Sequence, residues 1–141
     1  MIVYCDCFDT RLQTGPDMAD VTRELERLVA ESGVVRGVAH ATVVGSTGSL
    51  TTIEYEPGVV EDLKAAIERL APQGMEYAHE LAWHDGNGHS HVQAALLGPS
   101  ISVPVRGGRL KLGAWQQVTL INHDNKARTR GVEVTVVGTA E

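Results

Sequence analysis

Histidines are concentrated in one stretch of this sequence, and their spacing indicates metal or acid–base chemistry. Four of the six lie within YAHELAWHDGNGHSH, at positions 77–91: His79, His84, His89 and His91. Imidazole is the commonest metal ligand among side chains and titrates closest to physiological pH. We expect at least two of the four to have a metal or catalytic role. The alternative, histidines solvated on a loop without a role, stays open.

The H-x-H pair of this stretch, His89 and His91, is a candidate pair of metal ligands. His89 and His91 can converge on one ion if the segment is extended, and they remain close if a helix begins near Ser90. Imidazole nitrogen favours Zn²⁺ or another late first-row ion, whereas Mg²⁺ prefers oxygen ligands. Zinc is therefore the metal expected at the histidines, and Mg²⁺ would arrive with a substrate.

The sequence context of the remaining two histidines favours roles other than metal binding. His40 lies in an apolar stretch that reads as a strand, so it is expected to be a hydrogen-bonded core histidine. His123 lies beside Asp124 and Asn125 in a polar segment, so it is expected to be solvated.

A Gly/Ser/Thr-rich turn offers a candidate anion site. In GSTGS, at positions 45–49, the backbone N–H groups and the hydroxyls of Ser46, Thr47 and Ser49 could bind phosphate or carboxylate. No G-K-[ST] motif follows, so an ordinary turn is the alternative. Beyond it, Glu54 and Glu56 share one face of a predicted strand, and one of these carboxylates could face a pocket or simply be solvated.

Arginines further along the chain add candidate anion ligands. Ser100, Arg106 and Arg109 could bind an oxyanion, arginine through its bidentate fork. Arg128 and Arg130 add local positive charge, although such arginines are most often surface residues. Trp115 and Gln116 follow in the chain. Trp115 is one of only 2 tryptophans, and it could either belong to the site or anchor the core or an interface.

Hydrophobic periodicity and turn residues place these segments on secondary structure. The pattern predicts, in chain order, a strand over 1–14, a helix over 18–31 capped by Asp17, strands over 34–44 and 50–55, a helix from Pro57 to Ala71, a loop over 73–88, a short helix over 90–97, a strand over 101–105 turning at Gly107-Gly108, and strands over 115–121 and 132–137. Helices that do not alternate regularly with strands favour an α+β fold. We expect one compact domain, 1–141, with a mixed or antiparallel sheet and two to three helices.

Composition narrows the function classes. The 141 residues carry a formal net charge of −6 and only 4% aromatic residues, which argues against nucleic acid as a partner. No apolar run is long enough for a membrane span, and the N-terminal residues lack the basic start of a signal peptide. We therefore expect no membrane partner and a cytoplasmic location.

The 2 cysteines, Cys5 and Cys7, are two residues apart on the first predicted strand. A disulfide between residues that point the same way on a strand would be strained. A lone C-x-C pair also has too few ligands for a zinc site. We interpret them as two free thiols in a reducing compartment.

Several segments together resemble the YjbQ family. In chain order they are GSTGSLTTIE, YAHE, NGHSHVQAALLGPS, SVPV-R-GGRLKLGAWQ and RTRGVEVTVVG, which span roughly residues 35–138. The resemblance implies a compact α+β fold, a homotrimer with pockets between subunits, and secondary thiamine-phosphate synthase activity. That activity joins a pyrimidine pyrophosphate to a thiazole phosphate and releases pyrophosphate.

The resemblance also implies site residues. The family's glutamate falls on Glu54, its two spaced histidines on His79 and His91, and its Trp-Gln pair on Trp115 and Gln116. Glu54, His79 and His91 are therefore the expected catalytic residues, and His79 and His91, together with His89, are the expected metal ligands. Typical members carry a histidine where this chain has Gly45, and His89, or else His84 or His40, could replace it.

The function expected from residues and resemblance together is that of a metal-binding enzyme acting on a phosphorylated small molecule. The alternative is a homotrimer that binds a metal or ligand without catalysis. The residues expected to contact the substrate or its phosphate are Ser46, Thr47, Ser49, Ser100, Arg109, Trp115, Gln116 and Arg130.

Overall fold

The structure, a computed structural model, describes residues 1–141 and contains two antiparallel sheets and four helices. In chain order the elements are β1 (Ile2–Leu12), β2 (Asp17–Asp20), α1 (Thr22–Ser32), β3 (Arg36–Val43), β4 (Gly48–Glu54), α2 (Pro57–Leu70), α3 (Glu80–Trp83), α4 (Gly88–Leu97), β5 (Ser100–Arg106), β6 (Arg109–Leu110), β7 (Gln116–Asn122) and β8 (Arg128–Thr139). The α+β class is confirmed, and every strand pair is antiparallel.

The strands divide into a larger and a smaller sheet. The five-stranded sheet has the order β1-β8-β3-β5-β6, and the three-stranded sheet has the order β2-β7-β4. One face of the larger sheet, one face of the smaller sheet and α1 enclose a core of 17 buried residues, which includes Leu25, Leu28, Leu120 and Val134. Helix α2 packs on the opposite face of the smaller sheet through Ile67.

Two glycines allow the larger sheet to close tightly at one end. Gly37 on β3 and Gly138 on β8 are register partners. A methyl group on Gly138 would overlap the carbonyl oxygen of Arg36, and one on Gly37 would overlap that of Val137. Only a residue without a Cβ lets the two backbones approach this closely.

The predicted start of the first helix is wrong. Residues Asp17–Asp20 form strand β2 against β7, and α1 begins only at Thr22. Met18 packs with Ile67 and Ile121 instead of extending the helical stripe. The carboxylate of Asp20 accepts from Thr22 N at 3.0 Å, so Asp20 rather than Asp17 bonds to the helix start. Strand pairing has overridden a helical spacing of apolar residues.

The predicted loop over 73–88 contains one helical turn, α3. Glu80 begins this turn, and its carboxylate accepts hydrogen bonds from the backbone N–H of Gly86 at 2.7 Å and of Gly88 at 3.0 Å. One side chain therefore fixes the return of the chain into α4. None of the four helices combines the length and the apolar character needed to cross a membrane.

The environments of His40 and His123 both differ from those predicted from the sequence. His40 is exposed on the outer face of the five-stranded sheet and hydrogen-bonds Ser102 at 2.8 Å and Thr42 at 2.9 Å. His123, which was expected to be solvated, is fully buried. Side chains alternate between the two faces of β3, and His40 points to the face opposite that of its buried neighbours Ala39 and Ala41. The expected core position of His40 is therefore wrong.

Buried His123 links the smaller sheet to α4. Its Nδ1 lies 3.0 Å from Gln93 Oε1, and its Nε2 lies 2.7 Å from Ser49 Oγ. Gln93 uses its amide N–H to bond Ala71 O, so its oxygen must accept from His123 Nδ1. In the neutral imidazole, Nε2 then accepts from Ser49 Oγ, a tautomer that is assigned from the hydrogen-bond network. Burial, with smaller effects of Arg130 and His89, lowers the pKa of His123 to about 4.

This lowered pKa predicts a loss of stability in mild acid. Because the unfolded chain takes up a proton on this histidine near pH 6.5 and the native state only near pH 4, the stabilisation is complete above pH 6.5. It is lost as the pH falls through that window, and by pH 4.5 the loss amounts to about 2–3 kcal/mol. Urea unfolding of the wild type and His123→Gln at pH 7.5 and 4.5 measures it, and the variant should lose less.

Exposed His40 provides the matched control. His40→Gln is expected to keep the wild-type loss of unfolding free energy between the two pH values. An equal loss in His123→Gln and the wild type would show that His123 does not stay neutral in the native protein.

Candidate functional site

A polar pocket lies where three loops meet at one end of the smaller sheet. It has a volume of about 430 Å³ and no hydrophobic side chain in its lining. Its lining residues come from the β3–β4 turn, from the start of α4 and from the β7–β8 segment: Gly45, Ser46, Thr47, Asp85, Asn87, His91, Asp124, Arg128, Thr129 and Arg130. A wholly polar lining indicates a site for a charged or strongly hydrogen-bonding ligand.

Asp124 connects the three loops. Its Oδ2 accepts from Thr47 Oγ1 at 2.9 Å, from Asn87 Nδ2 at 3.1 Å and from Arg128 Nε at 3.2 Å. Its Oδ1 accepts from Lys126 N at 3.0 Å. Burial alone would raise the pKa of Asp124, but these hydrogen bonds outweigh it and hold the pKa below its ordinary value. The carboxylate is ionised, and both of its oxygens accept hydrogen bonds from the protein.

Arg130 is the buried cation of the pocket, with 7% of its surface exposed. Its Nε and Nη2 both donate to Asn122 Oδ1, at 3.1 and 2.6 Å, and Nη2 also donates to Thr47 Oγ1. These partners are neutral, and no carboxylate lies within ion-pair distance of the guanidinium. Burial lowers the pKa of Arg130, although Asp124 opposes this effect.

The third guanidinium nitrogen of Arg130, Nη1, has no hydrogen-bond partner in the protein and faces Gly45. A Cβ on Gly45 would lie 2.9 Å from Nη1, and the φ of this glycine is +136°. A larger residue would be strained and would crowd the guanidinium. Glycine at position 45 therefore keeps one edge of the buried cation open to the pocket.

His79 and His91 come together at the rim. Their ring centroids are 4.5 Å apart, and His79 Nε2 lies 3.2 Å from Asp85 Oδ1. Burial would raise the pKa of Asp85, but hydrogen bonds from Asn87 N and from His79 lower it overall. Donor atoms of His79, Glu80 and Asp85 all lie within 4.8 Å of one another. The rim thus brings imidazole and carboxylate donors together.

His89 points away from that group. Because α4 begins at Gly88, His89 and His91 are two residues apart on a helix and project to different faces. His89 is buried, its ring centroid 6.5 Å from that of Tyr77 and its Nε2 3.2 Å from Ser90 Oγ. Of the predicted ligands, only His79 and His91 are therefore neighbours. His84 is exposed after α3.

The predicted phosphate-binding residues are only partly brought together. Ser46, Thr47 and Arg130 line the pocket, whereas Ser49 is buried beneath it against His123. Ser100 lies on β5 opposite Thr42. Arg109 lines a separate groove beside Glu26 and Ala30 of α1.

The residues implied by the family resemblance at Glu54, Trp115 and Gln116 form a shallow surface depression of their own. Glu54 ends β4 and pairs with Gln116 at the start of β7, while Gly48 at the other end of β4 adjoins the pocket. The 7 residues of β4 rise about 3.3 Å each, so the two ends are roughly 20 Å apart. Within one chain, a single small ligand cannot contact both. Glu56 caps α2 through its carboxylate.

Sequence reasoning missed part of the pocket. Asp85, Asn87, Asp124 and Thr129 were not singled out, and for Arg128 both a surface charge and a local basic pocket were left open. The available signal was the dense polar run HDNKARTR between two strands, at positions 123–130. Such a run is typical of solvated loops, and only its contacts with Thr47 and Asn87 show that it forms a site.

Comparison with known proteins assigns the family. The model of the UPF0047 protein YjbQ-like family matches residues 8–139. A UPF0047 protein of Archaeoglobus fulgidus is 36% identical over 84% of this chain and 89% of its own length. One of Methanothermobacter thermautotrophicus is 30% identical over 98% of this chain and 94% of its own. A crystal structure from Sulfolobus solfataricus P2, described as a YbjQ-like protein of unknown function, has a TM-score of 0.92 and 30% identity over 97% of this chain and 98% of its own.

These relatives correct the expected function. They are described as UPF0047 proteins, as a protein of unknown function, or as an uncharacterized conserved protein from Clostridium acetobutylicum. None of these descriptions supports thiamine-phosphate synthase activity or a metal-binding enzyme acting on a phosphorylated substrate. The inference of that function from the resemblance is therefore wrong, although the inference of the family is confirmed. With the family model covering nearly the whole sequence, the chain belongs to the YjbQ-like UPF0047 family.

Proposed function

We propose that the polar pocket binds a phosphorylated small molecule through its phosphate group, without any chemical step assigned to the site. One observation carries the proposal. Arg130 is a nearly buried guanidinium with no carboxylate partner and with one nitrogen, Nη1, free toward the pocket.

The lack of a carboxylate paired with Arg130 supports an anionic ligand at this point of the pocket. A buried charge is costly unless an opposite charge and hydrogen bonds compensate for it. Asp124 does not pair with Arg130, because it already accepts from Thr47, Asn87 and Arg128. An oxyanion at Nη1 would provide the missing negative charge.

The neighbouring donors suit a group with several oxygens. Arg128 reaches the same pocket with its side chain half exposed, and Ser46 adds a hydroxyl from the β3–β4 turn. Guanidinium groups form short, charge-assisted and often bidentate hydrogen bonds with phosphate. Two arginines and a hydroxyl match the three outer oxygens of a phosphate monoester better than the two oxygens of a carboxylate.

Substitution of Arg130 tests this proposal. Arg130→Lys keeps the charge but removes the fork and the free Nη1, so we expect the affinity for inorganic phosphate to fall about 10–100-fold, the loss for one charge-assisted hydrogen bond. Calorimetric titration with phosphate and with acetate measures it. The wild type should bind phosphate more tightly than acetate.

Two further variants keep this test interpretable. Arg109→Lys, in the separate groove, is the matched control and should bind phosphate like the wild type. Because Arg130→Lys also removes buried hydrogen bonds, Ser46→Ala provides a milder change at the pocket and should weaken phosphate binding while the circular dichroism spectrum stays unchanged. Equal phosphate affinity in the wild type, Arg130→Lys and Ser46→Ala would contradict the proposal.

A second candidate function is binding of a divalent cation at the rim, favoured by the clustered donors of His79, Glu80 and Asp85. His91 lies beside His79 and could supply another nitrogen. Both oxygens of Glu80 already accept backbone N–H groups, so His79 and Asp85 are the freer ligands. Imidazole and carboxylate ligands fit Zn²⁺. That Mg²⁺ would enter together with a phosphorylated ligand stays a prediction.

Metal analysis tests the cation site. After equilibration with Zn²⁺ and gel filtration, His79→Ala should lose the zinc that the wild type retains, because it removes the only nitrogen within the donor cluster. His84→Ala, at an exposed histidine of the same loop, should retain it. Equal zinc content in His79→Ala and the wild type would rule this site out.

The homotrimer implied by the resemblance is also a proposal. Both tryptophans are largely exposed, Trp83 at 71% and Trp115 at 75%, and exposed aromatic side chains are typical of interfaces. If Glu54, Trp115 and Gln116 contribute to ligand binding at the pocket, they must come from a neighbouring copy, given the length of β4.

Light scattering after size exclusion tests the assembly. We expect a mass about three times the 15.1 kDa of one chain. Trp115→Ala should shift the mass toward that of the monomer, because it removes a large apolar contact, whereas Arg109→Ala should not. A monomeric wild type would contradict the proposal.

A further inference from the structure

The outer face of the five-stranded sheet carries two free thiols that none of the sites above uses. Cys5 and Cys7 are both exposed on β1, an edge strand paired only with β8. Phe8 and Leu12 of the same strand point into the core, so the odd-numbered residues near them point outward. Both thiols therefore lie on one accessible face.

Their spacing excludes a disulfide but suits a bridging metal ion. Two residues along a strand span about 6.7 Å, and their side chains leave the sheet in parallel. A disulfide needs Cβ atoms only about 3.5–4.5 Å apart. Two metal–sulfur bonds of about 2.3 Å each can join sulfur atoms up to about 4.6 Å apart. Cys5 and Cys7 can reach that separation if their sulfur atoms lean toward each other.

The surroundings favour thiols that remain reduced. Glu133 faces Cys7 across the β1–β8 pair, and Asp9 follows on the same face. Glu133 foremost, then burial and the charges of Asp6 and Asp9, raises the pKa of Cys7. Because the thiolate is the form that oxidises and attacks, a protonated Cys7 is slow in both reactions. Cys5 lies 3.7 Å from Thr135 Oγ1, a weak neutral contact that does not occupy its sulfur.

The geometry points to Cys5 and Cys7 as a two-thiolate site for a soft monovalent cation, Cu(I). Thiolates select soft ions, and Cu(I) is satisfied by two ligands, whereas Zn²⁺ in proteins takes four. Binding is a ligand exchange without electron transfer: two S–H bonds break, two Cu–S bonds form and two protons leave to solvent. The carboxylate of Glu133 is a hard ligand and is not part of the coordination.

Anaerobic titration of the reduced protein with Cu(I), against a coloured Cu(I) chelator, tests the site. The wild type should bind one Cu(I) per chain with two sulfur ligands by X-ray absorption. Cys5→Ser and Cys7→Ser should each weaken binding by about 100-fold or more, because the second thiolate binds at high effective concentration. Circular dichroism checks that both variants fold, which we expect because both positions are exposed.

Other variants separate this site from its alternatives. His79→Ala and His91→Ala should leave the Cu(I) affinity unchanged, since they lie in the other metal candidate. Glu133→Gln should tighten binding, because the bound site is one charge more negative than the free dithiol. Unchanged affinity in either serine variant, one Cu(I) shared by two chains, or weaker binding in Glu133→Gln would overturn the assignment.

Discussion

Arg130 lies almost wholly buried with only neutral hydrogen-bond partners, and this constraint governs the arrangement of the polar end of the molecule. A guanidinium is not deprotonated in a protein, so the surrounding structure must stabilise a permanent charge. Asn122 and Thr47 accept hydrogen bonds from the guanidinium and orient it. The hydroxyl of Thr47 in turn donates to Asp124. We propose that an oxyanion in the pocket provides the remaining compensation.

The register of the smaller sheet brings the necessary segments together. Gly48 at the start of β4 pairs with Asn122 at the end of β7, so the two loops that adjoin these residues meet at one edge. His123 N then donates to Thr47 O at 2.8 Å, and its side chain bonds Ser49 and Gln93. Neutral His123 bonds α4 beneath the pocket through Gln93, whereas Asp124 next to it lines the pocket. The segment Asn122-His123-Asp124 therefore contributes residues both to the core and to the pocket.

Local patterns predicted most of the helices and strands, because apolar spacing and turn residues report which face of an element is buried. They failed at β2, where pairing with β7 outweighed the helical spacing of Met18 and Val21. They also misassigned both isolated histidines. For His40, alternation identifies two faces of a strand but not which of them meets a second layer; His123 lies just beyond β7, and its polar neighbours are typical of a solvated loop. For the site, residue types identified Ser46, Thr47, His91 and Arg130. Asp85, Asn87 and Asp124 became visible only through contacts between distant segments, and the family resemblance grouped Glu54 with residues that lie far away.

A structure from crystals grown with inorganic phosphate tests most directly whether Arg130 binds an oxyanion. Our account predicts a phosphate in the polar pocket with an oxygen about 2.7–2.9 Å from Arg130 Nη1, and Asp124 still bonded to Thr47 and Asn87. A pocket without phosphate at saturating concentration, with Asp85 or Asp124 turned to pair with Arg130, would contradict it.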